Sequence, residues 1–122
     1  MFQIVFNAIS TAEMSALPTD LQLEILSEFQ ILPEDLDQLD PARFGKIEHQ
    51  GKTLYRCHAK DFRIYFEKTA EGIAIARVLH KNTLKDFLFR SKLSMGEEDR
   101  TLGEKPGFWK LIEEGENAAK KP

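Results

Sequence analysis

Between Lys52 and Glu67 the chain twice alternates with a period of two. In "KTLYRCHA", Leu54, Arg56 and His58 fall on one side and Tyr55, Cys57 and Ala59 on the other. In "FRIYFEK", Phe62, Ile64 and Phe66 oppose Arg63, Tyr65 and Glu67. Successive side chains of a strand point to opposite faces, so both runs predict half-buried strands. Lys60-Asp61 is short enough to be a tight connection between them, and Glu71-Gly72 makes the next turn. "IAIARVLH" (Ile73–His80) then predicts a mostly buried strand, and "FGKIEHQGK" a shorter one with a turn before Lys52.

The N-terminal third has a different period. "FQIVF" (Phe2–Phe6) is β-branched and aromatic and predicts a strand. "STAEMSALPTDLQLEILSEFQIL" predicts two helices broken at Leu17-Pro18, because a residue before proline disfavours the helical region. Ser10 or Thr11 is the expected cap of the first helix, and Thr19 or Asp20 of the second. Leu21, Leu23, Ile25, Leu26 and Phe29 form a wide apolar stripe on the second helix. "PEDLDQLDPARFG" is punctuated by Pro33, Pro41 and Gly45 and predicts a loop or short helical turn. "TLKDFLFRSKL" predicts a short helix, "SMGEEDRTLGEKPG" a polar linker, and "FWKLIEEGENAAKKP" a short amphipathic helix with a charged tail. The predicted fold is α+β, an N-terminal helical hairpin packed on an antiparallel sheet, with short C-terminal helices. Residues 1–92 form the expected domain, and 93–122 a linker and helical extension.

The pleat then orders the polar residues. The face with Phe62, Ile64 and Phe66 packs under the helices, so Arg63 and Tyr65 point away. Arg56 and His58 share that second face, with Tyr55 and Cys57 inside. Ala74, Ala76 and Val78 suit the helix-packed side, which leaves Arg77 outward. A helix-free face is thus expected to display Arg56, His58, Arg63, Tyr65 and Arg77, with Lys60, Lys81 and Lys85 near its rim. Arginine forks suit phosphate oxygens, and a tyrosine face can stack on a base.

Charge sharpens the picture. Residues 1–42 carry eight acidic residues and no Lys or Arg; 43–92 carry twelve Lys or Arg against five acidic residues. Residues 93–122 carry five basic and seven acidic residues. Either the basic middle meets an anionic partner, or the acidic ends fold back and neutralise it. Glu97, Glu98 and Asp99 read as a solvated run, Trp109 as a docking anchor for the last helix, and Cys57 as a small buried hydrophobe. At 122 residues one core is expected. No apolar run reaches the ~20 residues of a membrane span, and the start lacks the marks of a secretory signal. A single cysteine fits a reducing compartment, and a cytoplasmic location is expected. Three scattered histidines and one cysteine give no metal-ligand spacing, and no cofactor is expected.

From Phe2 to about Arg90 the order strand, helical hairpin, "LYRCHAKDFRIYFE" and "IARVLHK" resembles the RelE/ParE superfamily of toxins from type II toxin–antitoxin pairs. These two runs look like the family's "YRLRVGDYRVIYE" and "VGHR" elements. The resemblance implies a RelE-like domain that inhibits translation as a ribosome-dependent mRNA endoribonuclease. The alternatives are a non-enzymatic ParE-like DNA gyrase inhibitor and a degenerate toxin-like binding domain. The implied partners are a cognate antitoxin protein and mRNA on the ribosome. The implied catalytic residues are Arg56, His58, Arg63 and His80, with Lys60, Tyr65, Arg77, Lys81 and Lys85 binding RNA. Arg63 matches the arginine of the "YR" element, and His80-Lys81 the "HR" element. Beyond them this chain has Asn82 and "TLKDFLF" where nuclease members often carry an arginine and a tyrosine.

Overall fold

The computed structural model describes residues 3–29, 38, 44–88 and 93–120. Most of the predicted loop from Pro33 and the end of the "TLKDFLFRSKL" segment lie outside the described residues. In chain order the elements are β1 (Gln3–Phe6), α1 (Ala8–Ser15), α2 (Thr19–Glu28), β2 (Phe44–His49), β3 (Lys52–Ala59), β4 (Phe62–Lys68) and β5 (Gly72–His80). Then follow α3 (Lys81–Leu84), a 3-10 turn (Lys85–Phe87), α4 (Met95–Gly103) and α5 (Pro106–Lys120). The five strands form one sheet in the order β1-β5-β4-β3-β2. β2 to β5 make the expected antiparallel meander, while β1 lies parallel to β5, with Gln3 beside Gly72. The α+β reading therefore holds: N-terminal helices pack on a mostly antiparallel sheet, and C-terminal helices follow.

Local chemistry sets the ends of the helices. α1 starts earlier than expected, because Asn7 caps it. Its Oδ1 accepts from Ser10 N–H at 2.7 Å, and Ser10 Oγ accepts from Asn7 N–H at 3.0 Å. This reciprocal pair satisfies two donors that a helix start leaves open. The break at Leu17-Pro18 is where the sequence puts it. α2 begins at Thr19 behind Pro18, which offers no side-chain cap. Against the first face of the sheet these helices bring Met14, Leu21 and Ile25, and Phe29 just past α2 joins them. They meet Tyr55, Cys57, Ile64, Phe66 and Val78, with Phe62 partly buried at the edge. Phe29 stands edge-on to Phe66 with ring centroids 5.0 Å apart, a favoured aromatic geometry.

Two expectations fail. The first is the facing of "IAIARVLH". Tyr65 pairs with Arg77, but Phe66 pairs with Ile75, so Ala76 is an extra residue in β5. A bulge of this kind shifts the alternation beyond it. Ile73, Ile75 and Val78 join the first core, whereas Ala76 and Leu79 join a second core on the opposite face. The β5 edge beyond the β1 pairing is served by side chains instead of a strand. Asn7 Nδ2 donates to the carbonyls of Ile75 and Ala76, Ser10 Oγ donates to Ile75, and Val78 N–H donates to Glu13.

The second failure is larger. The stretch taken as a polar linker is helix α4, started by a capping box between Ser94 and Glu97. α4 and α5 bury Leu102, Phe108, Trp109 and Ile112 against Ile47, Leu54, Tyr65 and Leu79. Trp109 does anchor the last helix: its indole N–H donates to the Gly103 carbonyl at 2.9 Å. The face expected to be free of helices is covered by two of them.

Candidate functional site: a cationic sheet face and its carboxylate cover

Cross-strand pairing decides which basic residues meet. His58 lies opposite Arg63, and Arg63 opposite Leu79; Arg56 lies opposite Tyr65, and Tyr65 opposite Arg77. Arg56, His58, Arg63, Tyr65 and Arg77 therefore share one face, as expected. His80 lies opposite Phe62, on the other face, with the two rings edge-on at 5.0 Å. It caps α3, its Nδ1 accepting from Asn82 N–H at 3.0 Å. His58 and His80 are not brought together.

Sharing a face does not leave these residues open. Arg56 is 0% exposed, Tyr65 0% and Arg63 6%. Arg56 donates through Nε and Nη2 to the two carboxylate oxygens of Asp99, at 3.1 and 2.8 Å. Arg63 makes the parallel fork to Glu98, at 2.9 and 3.2 Å. Both are the side-on, two-bond geometry in which a guanidinium holds a carboxylate or a phosphate. Arg77 donates to Glu13 of α1 and to the Leu111 carbonyl of α5 at 2.9 Å, with Glu114 at 3.7 Å. The acidic ends do fold back onto the basic middle. The run Glu97–Asp99 is not simply solvated, because Glu98 and Asp99 are each 5% exposed.

A glycine makes room for this arrangement. Gly45 of β2 sits opposite Arg56, and a Cβ there would collide with the Asp99 carboxylate and the Arg56 guanidinium. Burial raises the Asp99 carboxyl above its usual range; the hydrogen bond and charge of Arg56 oppose this only in part. Burial also pushes the Tyr65 phenol well up, helped by the charges of Glu98 and Asp99. Two polar atoms of the cluster are buried without a hydrogen-bond partner: Arg63 Nη1 and Tyr65 OH. A groove of about 700 Å³ between β2 and α4, lined among others by Lys46, Glu48, Ser94 and Arg100, reaches Asp99.

At one end of the sheet the chemistry stays accessible. His58 is half-buried, and its Nε2 lies 2.8 Å from the Lys60 carbonyl. Burial lowers its pKa, and the neighbouring Arg63 charge lowers it further. Lys60 is exposed in the β3–β4 turn with a left-handed φ of 52°. Lys81 is exposed and pairs with Asp61 at 3.2 Å; Lys85 is exposed nearby in sequence. A largely neutral imidazole directly across from an arginine can accept a proton beside a bound anion.

Four residues of this site escaped the sequence reading: Glu13, Gly45, Glu98 and Asp99. For the last two a signal existed. Ser94 followed three residues later by Glu97 is a helix-start pattern, and Met95, Glu98, Asp99 and Leu102 then fall on one helical face.

The fold and site define a small α+β domain whose arginine-bearing sheet face is paired by its own carboxylates. No family model matches the chain, and neither the curated proteins nor the solved structures contain a match. Among the described residues no helix is long and apolar enough to cross a membrane.

Proposed function

We propose that the chain is a RelE/ParE-like toxin of a type II toxin–antitoxin pair, acting in the cytoplasm as an mRNA endoribonuclease on the ribosome and held by a cognate antitoxin. The observation that carries this reading is half-buried His58 lying across the strands from the buried Arg63, with exposed Lys60 beside it. In the reaction, the ribose 2′-oxygen bonds to the adjacent phosphorus, giving a 2′,3′-cyclic phosphate, and the P–O5′ bond breaks, with the departing 5′-oxygen protonated by solvent. His58, held toward its neutral form, accepts the 2′-hydroxyl proton. Arg63 and Arg56 would steady the charge that builds on the phosphate oxygens. His80 faces away and caps α3, so the reading rests on His58 for proton transfer.

A second reading has its own support: a binding domain without activity. The arginine forks that a nuclease needs are filled by Glu98 and Asp99. Induced expression with primer-extension mapping of transcripts, beside a gyrase supercoiling assay, separates the readings. Growth arrest with transcript cleavage is the expected result. His58→Ala should lower cleavage by ~10²–10⁴ while the circular dichroism spectrum is kept. Arrest with blocked supercoiling and intact transcripts would support gyrase inhibition instead, and neither effect would leave the binding-domain reading. Arg63→Ala is a poor probe, since it strands the buried Glu98 and disturbs the fold.

A further inference from the structure

We infer that α4 is a displaceable cover, whose Glu98 and Asp99 carboxylates occupy on Arg63 and Arg56 the positions that the phosphates of a single-stranded RNA take when α4 lifts. The inference rests on the nucleic-acid reading above and adds to it a closed ground state. Four observations carry it.

First, the carboxylates sit on the guanidinium forks in the two-bond geometry that phosphate oxygens also use. One anion can therefore replace another without moving the arginines. Second, the pairing is incomplete. Arg63 Nη1 and Tyr65 OH are buried without a partner, so the cluster holds two more donors than α4 uses. A strand of RNA brings several phosphates, so an oxygen beyond those on the two forks is available to such a donor.

Third, the two C-terminal helices are held differently. Of the buried residues of α4, only Leu102 is a large apolar side chain; the others are Glu98, Asp99 and Gly103. α5 is fixed by Phe108, Trp109 and Ile112, each buried in the second core. Desolvated ion pairs contribute little net stability, whereas apolar burial contributes steadily. α4 is therefore the weaker of the two, tied to the core through Leu102 and to α5 through the Trp109–Gly103 hydrogen bond at its end, so it opens first from its Ser94 end. Fourth, the groove between β2 and α4 reaches Asp99 from outside, which gives an incoming strand a place to start.

The test uses the full chain and a fluorescein-labelled single-stranded RNA. Amide hydrogen exchange on the wild type should show α4 opening faster than β3, β4 and α5. Glu98→Gln with Asp99→Asn should tighten RNA binding by about tenfold or more, because apparent affinity scales with the open fraction. A second variant guards against misfolding of the first. Ile47 and Gly103 are in contact range across β2 and α4. Ile47→Cys with Gly103→Cys should close α4 when oxidised, abolishing RNA binding, and restore it on reduction. α4 amides as protected as β3 and β4, or RNA affinity unchanged by both the carboxylate variant and the redox state of the staple, would overturn the inference. RNA that binds more tightly without being cut would uphold the cover and remove the nuclease reading.

Discussion

The two faces of the sheet are covered by helices to a similar degree but by different means. On the α1–α2 face, Ile25, Phe29, Ile64 and Phe66 are each at most 1% exposed, and the core there is apolar, with polar contacts from Asn7, Ser10 and Glu13 confined to the β5 edge. On the α4–α5 face an apolar half around Phe108 and Ile112 sits beside a half built from Arg56–Asp99 and Arg63–Glu98. Apolar packing has no direction, so it tolerates small shifts and depends on volume. A guanidinium fork works only when its partner arrives at one position and one angle, and an unmatched partner is costly. The first face holds the fold by quantity of surface, and the second by correct pairing.

Mutations can break this contrast. Phe66→Ala should cost about 3–5 kcal/mol through lost transfer energy and a cavity. Arg56→Ala should cost a similar ~3–5 kcal/mol, because Asp99 is left buried without its partner. The two differ in rescue. Arg56→Met with Asp99→Leu should recover most of the loss, since apolar replacements of buried pairs are often neutral or better. No removal of a partner residue should rescue Phe66→Ala. Urea denaturation of the three variants measures this, and equal behaviour would erase the distinction between the faces.

A smaller effect sharpens it. Gly45→Ala places a methyl group against the Arg56–Asp99 pair and should destabilise by ~1–3 kcal/mol, as overpacking does. In an Asp99→Ala background the same change should cost clearly less, because one of the colliding groups is gone. A double-mutant cycle in urea gives the coupling directly.

The smallest effect is in pH. His58 is lowered from 6.5 by burial and then by Arg63. The unfolded chain thus binds this proton more tightly than the folded one. The stability this gives is present above pH 6.5 and is lost as pH falls through the folded value. His58→Gln should flatten the pH dependence of the urea midpoint below about pH 6.5. Asp99 is raised, with the opposite sign in the acid range, so the comparison is variant minus wild type at each pH.

How much of this was legible follows the same division. Phe62, Ile64 and Phe66 declared their face because alternation is the direct signature of one-sided burial. The helix break at Pro18 was legible because proline acts through local sterics. The bulge at Ala76 was not, since "IAIA" is apolar in either register and the side chains that take up the Ile75 and Ala76 carbonyls, Asn7 and Ser10, lie 65 or more residues away. α4 was signalled at its start by Ser94 and Glu97 but hidden along its buried face, where two of the four buried residues are carboxylates. In a one-dimensional pattern those are the same as solvent-facing ones. The set Arg56, His58, Arg63, Tyr65 and Arg77 was placed on one face correctly. Its covering could not be read, because it depends on partners from Glu13 and from 35 to 43 residues further along the chain.

That separation has a consequence for the protein as it is made. Arg56 leaves the ribosome 43 residues ahead of Asp99, an interval of about 2–9 s at ~5–20 residues per second. The β3–β4 hairpin, being local, can form once Lys68 is out, and β5 follows by His80, still ahead of Asp99. The newborn chain therefore carries an uncovered arginine face beside ribosomal RNA before Glu98 and Asp99 have emerged to pair with it. Nascent chains stalled with β4 emerged but Glu98 still inside the ribosome should cross-link to RNA through this hairpin, and chains stalled after α5 has emerged should not.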